Sequence, residues 1–225
     1  DDPGHADPTL CGKCDLAWPV ELARRIGLPD PARRDLSKVV DAYAPTVLIG
    51  SSGQAGAFSK TVIASMARKT ERPIIFPFSN PTSNSEAQPK DVLEWSSGRA
   101  LVATGSPFDP VIYRGREIQV GQGNNVFIFP GLGLGALESG AVEVTDSMVT
   151  AAAGALASAV TEQELSDGLL YPAVSRLREV SAAVAIAVAE QAEADGVARR
   201  RTDQLAARIE EVMWQPVYAE YAGVD

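Results

Sequence analysis

Apolar residues recur with two different periods between residues 35 and 120 of this chain. Short apolar runs, which are typical of buried strands, alternate with longer segments in which apolar residues return every three or four positions, as on one face of a helix. The predicted strands are Thr46–Ile49, Ile74–Phe78 and Ala100–Thr104, and the predicted helices are Leu36–Tyr43, Phe58–Lys69 and Glu86–Trp95. Strands that alternate with helices at this spacing predict a parallel sheet.

The pattern changes after Asn125, where strand signals disappear and Ala-rich helical segments continue to Gly196. The predicted helices here are Ser147–Val160, a short one opened by a capping box at Thr161–Glu164, and Ser175–Ala194. The last segment, Thr202–Tyr221, predicts a helix and an aromatic tail that packs on the rest of the molecule or on a neighbouring subunit. The predicted fold class is α/β, with a partial Rossmann-like parallel sheet followed by an α-helical C-terminal region.

Composition narrows the class of protein. The chain has 225 residues, is 45% hydrophobic and carries a net charge of −9, which indicates a globular protein with no general surface for nucleic acid or for an anionic membrane. The uncharged run Ile118–Leu137 has the length of a membrane span, but its Asn, Gln, Pro and Gly residues argue against one. No signal peptide is visible and no initiating Met is present, so we expect part of a longer cytoplasmic protein.

The two cysteines, Cys11 and Cys14, form a lone CxxC pair with His5 nearby. A structural zinc site usually needs four ligands, and a redox motif needs a βαβ setting around it. Incidental loop cysteines are therefore the favoured interpretation, while a metal site shared with another chain and redox chemistry stay open as alternatives. No disulfide framework is possible, which also favours the cytoplasm.

Two stretches place amides where a ligand is expected. Asn80 follows the predicted strand Ile74–Phe78, and ligands bind at the carboxyl ends of parallel strands. Asn124 and Asn125 follow two glycines, and each side chain offers two N–H donors and one acceptor. A helix that begins near Asn125 would add its first N–H groups to the attraction for an anion. A turn with an Asn helix cap explains the same residues equally well.

Three segments together closely resemble the malic enzyme family. They are SNPTS at residues 79–83, ATGSPFDP at residues 103–110 and GQGNNVFIFPGLGLG at residues 121–135. The resemblance extends from about Thr46 to Val197 and recurs weakly near Trp214–Tyr221. It implies oxidative decarboxylation of malate to pyruvate and CO2 with NAD or NADP and a divalent Mg or Mn ion. It also implies a homo-oligomer, either a dimer or a tetramer.

The resemblance implies a role for specific residues. Malate is expected to contact Asn80, Asn124 and Asn125, and the cofactor is expected to contact Gly50, Ser51, Ser52, Gly53, Ser79 and Asn80. Neutral amides suit a substrate that releases one carboxylate as uncharged CO2, because rigid cationic clamping would favour the ground state. The family's general-acid Tyr, general-base Lys and carboxylate metal ligands find no equivalent here, so we expect them outside this chain and expect the chain alone to be inactive.

The resemblance also divides the chain. Residues 1–124 are implied to be the rear part of the NAD(P)-binding domain, residues 125–198 a helical segment of the catalytic domain, and residues 199–225 a C-terminal helix and tail. The family more often has Val where Ser51 stands, a departure that bears on cofactor fit. Gly131–Gly135 reads GLGLG, but it follows no parallel strand, so we predict helix–helix packing and not a phosphate loop.

Two other functions stay open. The malolactic enzyme, which converts malate to lactate and CO2, shares SNPTS-like and GQGNN-like segments, although Gly105–Pro110 looks more like malic enzyme. A non-catalytic ligand-binding subunit is the second alternative. The choice between NAD and NADP also stays open.

Overall fold

A computed structural model of the chain describes residues 17–30, 32, 34–201, 203–215 and 217. The predictions for His5, Cys11 and Cys14, and that for the end of the aromatic tail at Tyr221, lie outside these residues. The chain divides into two compact units, Asp1–Val120 and Gly121–Asp225.

The first unit contains the predicted parallel sheet. Its helices are α1 (Val20–Arg25), α2 (Leu36–Tyr43), α3 (Lys60–Lys69) and α4 (Pro89–Trp95), and its strands are β1 (Val47–Gly50), β2 (Ile74–Pro77) and β3 (Leu101–Thr104), with a hairpin of β4 (Val111–Tyr113) and β5 (Arg116–Ile118). Strand β2 lies between β1 and β3 and is parallel to both, with Val47 opposite Ile74 and Ile74 opposite Leu101. The α/β prediction is confirmed.

One face of this sheet forms the core of the first unit. Val62, Ile63 and Met66, on the inner face of α3, are at most 1% exposed. They pack with Ile75 of β2 and Val102 of β3 in one apolar cluster. Helix α3 is thus fixed by its amphipathic face and not by local propensity alone.

The other face of β1 differs from the prediction of a buried strand. Val47 and Ile49 are 42% and 62% exposed, whereas Leu48, which points to the opposite face, packs against the core. Strand β1 stands first in the strand order, and no described helix covers the face that carries Val47 and Ile49. Alternate residues of a strand point to opposite faces, so a strand with one uncovered face leaves every second side chain exposed.

Helix α4 begins at Pro89, three residues later than predicted. Proline is favoured in the first turn of a helix, because its missing N–H has no partner there in any case. Glu86, which was expected to open this helix, is instead a fully buried residue of the preceding loop. Glu86 is held in this loop by hydrogen bonds from Ser52 and Ser79 at the strand ends.

The second unit is helical, as predicted. After the two-residue strand β6 (Gly121–Gln122) and a 3-10 turn (Asn125–Phe127), the helices are α5 (Phe129–Ser139), α6 (Asp146–Ser158), α7 (Glu162–Ser166), α8 (Leu177–Ala194) and α9 (Leu205–Val212). Thr145 caps α6 and Thr161 forms the predicted capping box with Glu164. Helix α8 packs against both α5 and α6 around Phe127, Met148 and Val184.

The GLGLG segment lies within α5, where it packs against a helix as predicted. A Cβ atom on Gly131 would lie 2.6 Å from Cβ of Val184, and one on Gly135 would lie 2.5 Å from the carbonyl oxygen of Ala185. A Cβ atom on Gly133 would have no neighbour within 4 Å. Gly131 and Gly135 therefore allow α5 and α8 to approach closely.

Of the two predictions for the aromatic tail, packing on the rest of this chain is not seen for Trp214, and packing on a neighbouring subunit stays a prediction. Helix α9 ends at Val212, and Trp214 is 75% exposed, so its ring does not pack on the described part of this chain. Its backbone is held instead, because the Arg178 guanidinium donates to the carbonyl oxygen of Trp214 at 2.5 Å. Within the described residues, no helix combines the length and the apolar character that a membrane crossing requires.

Candidate functional site

The three parallel strands of the first unit end at the same edge of the sheet. Strand β1 continues into a turn at Gly50–Gly53, β2 continues into Phe78–Asn80, and β3 continues into Gly105 and Ser106. The carboxyl edge of an open parallel sheet is where α/β proteins bind their ligands. These three connections are the candidate site.

Asn80 is exposed, and its side chain is oriented by a hydrogen bond from Ser106, which follows β3. The Ser106 hydroxyl donates to Asn80 Oδ1, and Asn80 Nδ2 donates to the Phe78 carbonyl at 3.4 Å. A Cβ atom on Gly105 would lie 2.2 Å from the Phe78 carbonyl oxygen, so glycine is required for the close approach of the two connections. The structure thus holds an amide side chain at the strand ends, with its carbonyl oxygen engaged by Ser106.

The Gly50–Gly53 turn, which we call the strand-end turn, presents an exposed backbone. Ser51, Ser52 and Gly53 are exposed, and Gly53 has a φ of +67°, in the left-handed region that favours glycine. Gly50 is buried, and a Cβ atom there would lie 2.6 Å from Cδ of Glu86. The turn also contacts the connection that follows β2, since the Gly53 N–H donates to Ser79 Oγ at 2.8 Å. The structure therefore brings all the residues expected at the cofactor into one region of the first unit.

Glu86 is the polar residue of this region that the sequence did not reveal. Its Oε1 accepts from the Ser52 N–H at 2.7 Å, from the Ser52 hydroxyl at 2.8 Å and from the Ser79 hydroxyl at 2.5 Å. Burial raises the pKa of Glu86, but the hydrogen bonds from Ser79 and Ser52 outweigh it and hold the pKa below its usual range. A Glu in the polar run Ser83–Glu86 has the sequence character of an exposed loop residue, so no pattern singles it out.

The asparagine pair lies in the second unit, and its two side chains have different environments. Asn124 caps the 3-10 turn, and its Oδ1 accepts from the Val126 N–H at 2.9 Å. The Phe127 and Ile128 N–H groups donate to the carbonyl oxygens of Asn124 and Asn125. The N–H groups of Val126, Phe127 and Ile128 each have an acceptor within the chain. The expectation that the first N–H groups of a helix would attract an anion is therefore wrong for these three groups. Asn125 is exposed, while Asn124 is half-buried.

A metal site is not formed by the residues that the structure describes. They contain no group of three or more His, Cys, Asp or Glu side chains arranged to hold a metal ion. A divalent ion thus does not fit the described part of this chain on its own.

A parallel sheet with polar connections at its carboxyl ends defines the class of α/β proteins that bind a ligand at this edge. A family model described as "Malic enzyme, NAD binding domain" matches residues 22–193. The chain therefore belongs to the malic enzyme family. It is 47% identical over 190 residues to the NAD-dependent malic enzyme of Acinetobacter baylyi, covering 84% of this chain and 34% of that protein.

Other relatives agree. The chain is 46% identical to NADP-dependent malic enzyme 2 of Arabidopsis thaliana, over 84% of this chain and 32% of the relative. It resembles the crystal structure of Entamoeba histolytica malic enzyme with a TM-score of 0.65 at 27% identity, over 89% of this chain and 39% of that one. The crystal structure of malic enzyme from Pyrococcus horikoshii gives a TM-score of 0.57 at 28% identity, over 79% of this chain and 38% of that one. The chain spans about a third of the length of the curated relatives it matches.

Proposed function

We propose that this chain is part of a malic enzyme, which oxidatively decarboxylates malate to pyruvate and CO2 with NAD or NADP and Mg or Mn. The observation that carries the proposal is the family match over residues 22–193, which includes both the strand-end residues and the asparagine pair. Relatives named as NAD-dependent and as NADP-dependent are equally similar, at 47% identity each, so the choice of dinucleotide stays open.

The dinucleotide is proposed to bind at the strand-end turn, with Gly50, Ser51, Ser52 and Gly53 on one side and Ser79 and Asn80 on the other. Support comes from the exposure of Ser51–Gly53 and from the hydrogen bond that joins Gly53 to Ser79. When bound, the dinucleotide supplies the acceptor for the hydride that leaves malate. The residues of this chain bind and orient it.

Malate is proposed to contact the amides of Asn80, Asn124 and Asn125. Asn80 is exposed with its carbonyl oxygen engaged by Ser106; its Nδ2 donates one N–H to the Phe78 carbonyl oxygen, and the second N–H is proposed to donate to a ligand carboxylate. Asn125 is exposed, whereas the carbonyl oxygen of Asn124 is occupied by the helix cap. Neutral donors hold the carboxylate without opposing its departure as CO2.

Two further parts of the proposal concern the rest of the protein. The general acid, the general base and the metal ligands are proposed to lie outside this chain. Assembly into a homo-oligomer in the cytoplasm is also proposed, and the exposed Trp214 near the end of α9 supports a contact with a neighbouring subunit.

The first experiment uses the protein as the cell makes it, with malate, Mn²⁺ and either dinucleotide, and measures pyruvate, lactate and reduced dinucleotide. We expect pyruvate and reduced dinucleotide in equal amounts. Lactate without net reduction would instead identify a malolactic enzyme, and binding without turnover would identify a non-catalytic subunit. Each of these results contradicts the proposal.

Asn80→Ala tests the site within the same assay. Removing one preorganised donor typically lowers kcat by roughly 10²-fold, and we expect a loss of that order. Ser106→Ala, which removes the hydroxyl that orients Asn80, is expected to cost less, about tenfold. Asn84→Ala is the matched control, because Asn84 is an exposed amide in the same loop and the hydrogen bonds of its side chain are 3.5 Å long.

A further inference from the structure

Glu86 carries a buried negative charge that the proposed function does not use. It is 0% exposed, and none of the described cations forms an ion pair with it. Burying an unpaired carboxylate is costly unless hydrogen bonds replace its water. Four donors do so here, all of them from Ser52 and Ser79, with the Ser79 N–H reaching Oε2 at 3.3 Å. The carboxylate thus joins the ends of β1 and β2.

The backbone of Glu86 is fixed independently of this network. Its carbonyl oxygen accepts from the Phe58 N–H at 3.0 Å, and the neighbouring Ser85 carbonyl oxygen accepts from the Gly56 N–H at 3.3 Å. Gly50 leaves the space that the carboxylate fills, since any Cβ there would lie 2.7 Å from the Phe58 ring as well as against Glu86. The carboxylate is therefore a fixed point from which the strand-end turn can be held.

Two N–H groups of the strand-end turn, and that of the residue after it, are already engaged. Those of Ser52 and Gly53 donate to Glu86 and to Ser79 Oγ, and that of Gln54 donates to Ser52 Oγ at 3.2 Å. A loop that cradles phosphate needs such N–H groups pointing at the anion. Here the Ser52 N–H is instead directed inward, toward the Glu86 carboxylate, and the Gly53 N–H is directed toward the Ser79 hydroxyl. The conformation of the turn depends on the carboxylate, and its contact with a ligand must use other atoms.

We propose that Glu86 is the positioning residue of the dinucleotide site, acting through Ser52 and Ser79 to hold the strand-end turn in its ligand-binding conformation. The inference rests on the proposed function, because it assigns the dinucleotide to this turn. Since the engaged N–H groups do not face a phosphate, loss of the Glu86 charge weakens NAD and NADP alike. The ratio of the two affinities does not change.

The test is Glu86→Gln in the protein as the cell makes it, with NADH and NADPH as fluorescent probes. Glutamine keeps the size of the side chain but removes the charge and turns one acceptor into a donor that opposes the Ser79 N–H. We expect both dissociation constants to rise about tenfold, because buried donors lose their acceptor. Glu94→Gln, at an exposed position of α4, is the matched control and should leave both constants unchanged.

Thermal unfolding of the same variants separates positioning from a purely structural role. A lower melting temperature with unchanged dissociation constants overturns the inference and leaves the proposed function standing. Wild-type protein that binds neither probe overturns both. If Glu86→Gln does not fold, Ser52→Ala replaces it, since this change keeps the carboxylate and removes one donor; we expect a rise of about threefold, and no rise overturns the inference.

Discussion

Asn124 and Asn125 are neighbours with different environments, and the difference predicts different effects on the stability of the fold. The Asn124 side chain accepts from the backbone two residues ahead and begins the 3-10 turn that leads into α5. The exposed Asn125 side chain has no such task in the structure. A cap contributes to folding whether or not a ligand is present, whereas an exposed amide contributes only when something binds to it.

Replacing each asparagine by alanine should therefore give different results. Asn124→Ala should lower the free energy of unfolding by about 1 kcal/mol, which is typical for a lost cap. Asn125→Ala should leave stability within about 0.5 kcal/mol and raise KM for malate. Urea unfolding and steady-state kinetics measure the two effects. An Asn125→Ala protein with wild-type KM would remove that residue from the proposed substrate site.

At the scale of whole elements, the contact between α5 and α8 depends on two glycines and not on the third. Cβ atoms at Gly131 and Gly135 would come within 2.6 Å of neighbouring heavy atoms in α8, while Gly133 faces open space. Glycine within a helix otherwise costs stability relative to alanine. The same substitution thus has opposite consequences along one helix.

Gly135→Ala should destabilise the second unit by roughly 1–3 kcal/mol, because an added methyl group in a tightly packed contact forces α5 and α8 apart. Gly133→Ala should stabilise it by up to about 1 kcal/mol, since it restores helix propensity without a clash. Chemical unfolding followed by circular dichroism measures both. Equal effects of the two substitutions would mean that α5 does not pack on α8 through this face.

Elements with a strong local pattern were predictable from the sequence. The period of apolar residues identified α3 and the three strands, and capping residues such as Thr161 marked helix starts because their hydrogen bonds are made within a few residues. Two features were not predictable. The exposed face of β1 depends on which strand stands first in the sheet, and the role of Glu86 depends on Ser52, 34 residues away. Neither feature produces a periodic pattern of apolar residues in the sequence.

At the scale of the whole molecule, acid should act on both units through carboxylates that accept hydrogen bonds. For Glu164 of the second unit, burial raises the pKa. Donation from the Thr161 and Ala173 N–H groups and the charge of Arg176 lower the pKa by more, so it lies below its usual 4.5. The pKa of Glu86 in the first unit is also below its usual value. Carboxylates of this kind stabilise the folded chain only while they are ionised.

The sign of the pH dependence follows from these directions. A folded-state pKa below the unfolded value contributes stability that is fully present above about pH 4.5 and is lost as the pH falls through the folded pKa. The net charge of −9 at pH 7 acts in the opposite direction only above the isoelectric point of about 4.7, where protonation relieves repulsion between negative charges. At 0.15 M salt the Debye length is about 8 Å, so repulsion between exposed charges is largely screened and the hydrogen-bonded carboxylates dominate.

We therefore expect a melting temperature that is nearly constant from pH 7 to pH 5.5 and falls below pH 4.5, measured by circular dichroism at 0.15 M salt. Glu164→Gln should lower the melting temperature at pH 7 and flatten its fall in acid, because the variant has no carboxylate to protonate at that position. Glu162→Gln, at an exposed neighbour for which no side-chain hydrogen bond is observed, should keep the wild-type slope. A melting temperature that stays constant or rises from pH 4.5 to pH 3 would contradict this dependence on ionised carboxylates.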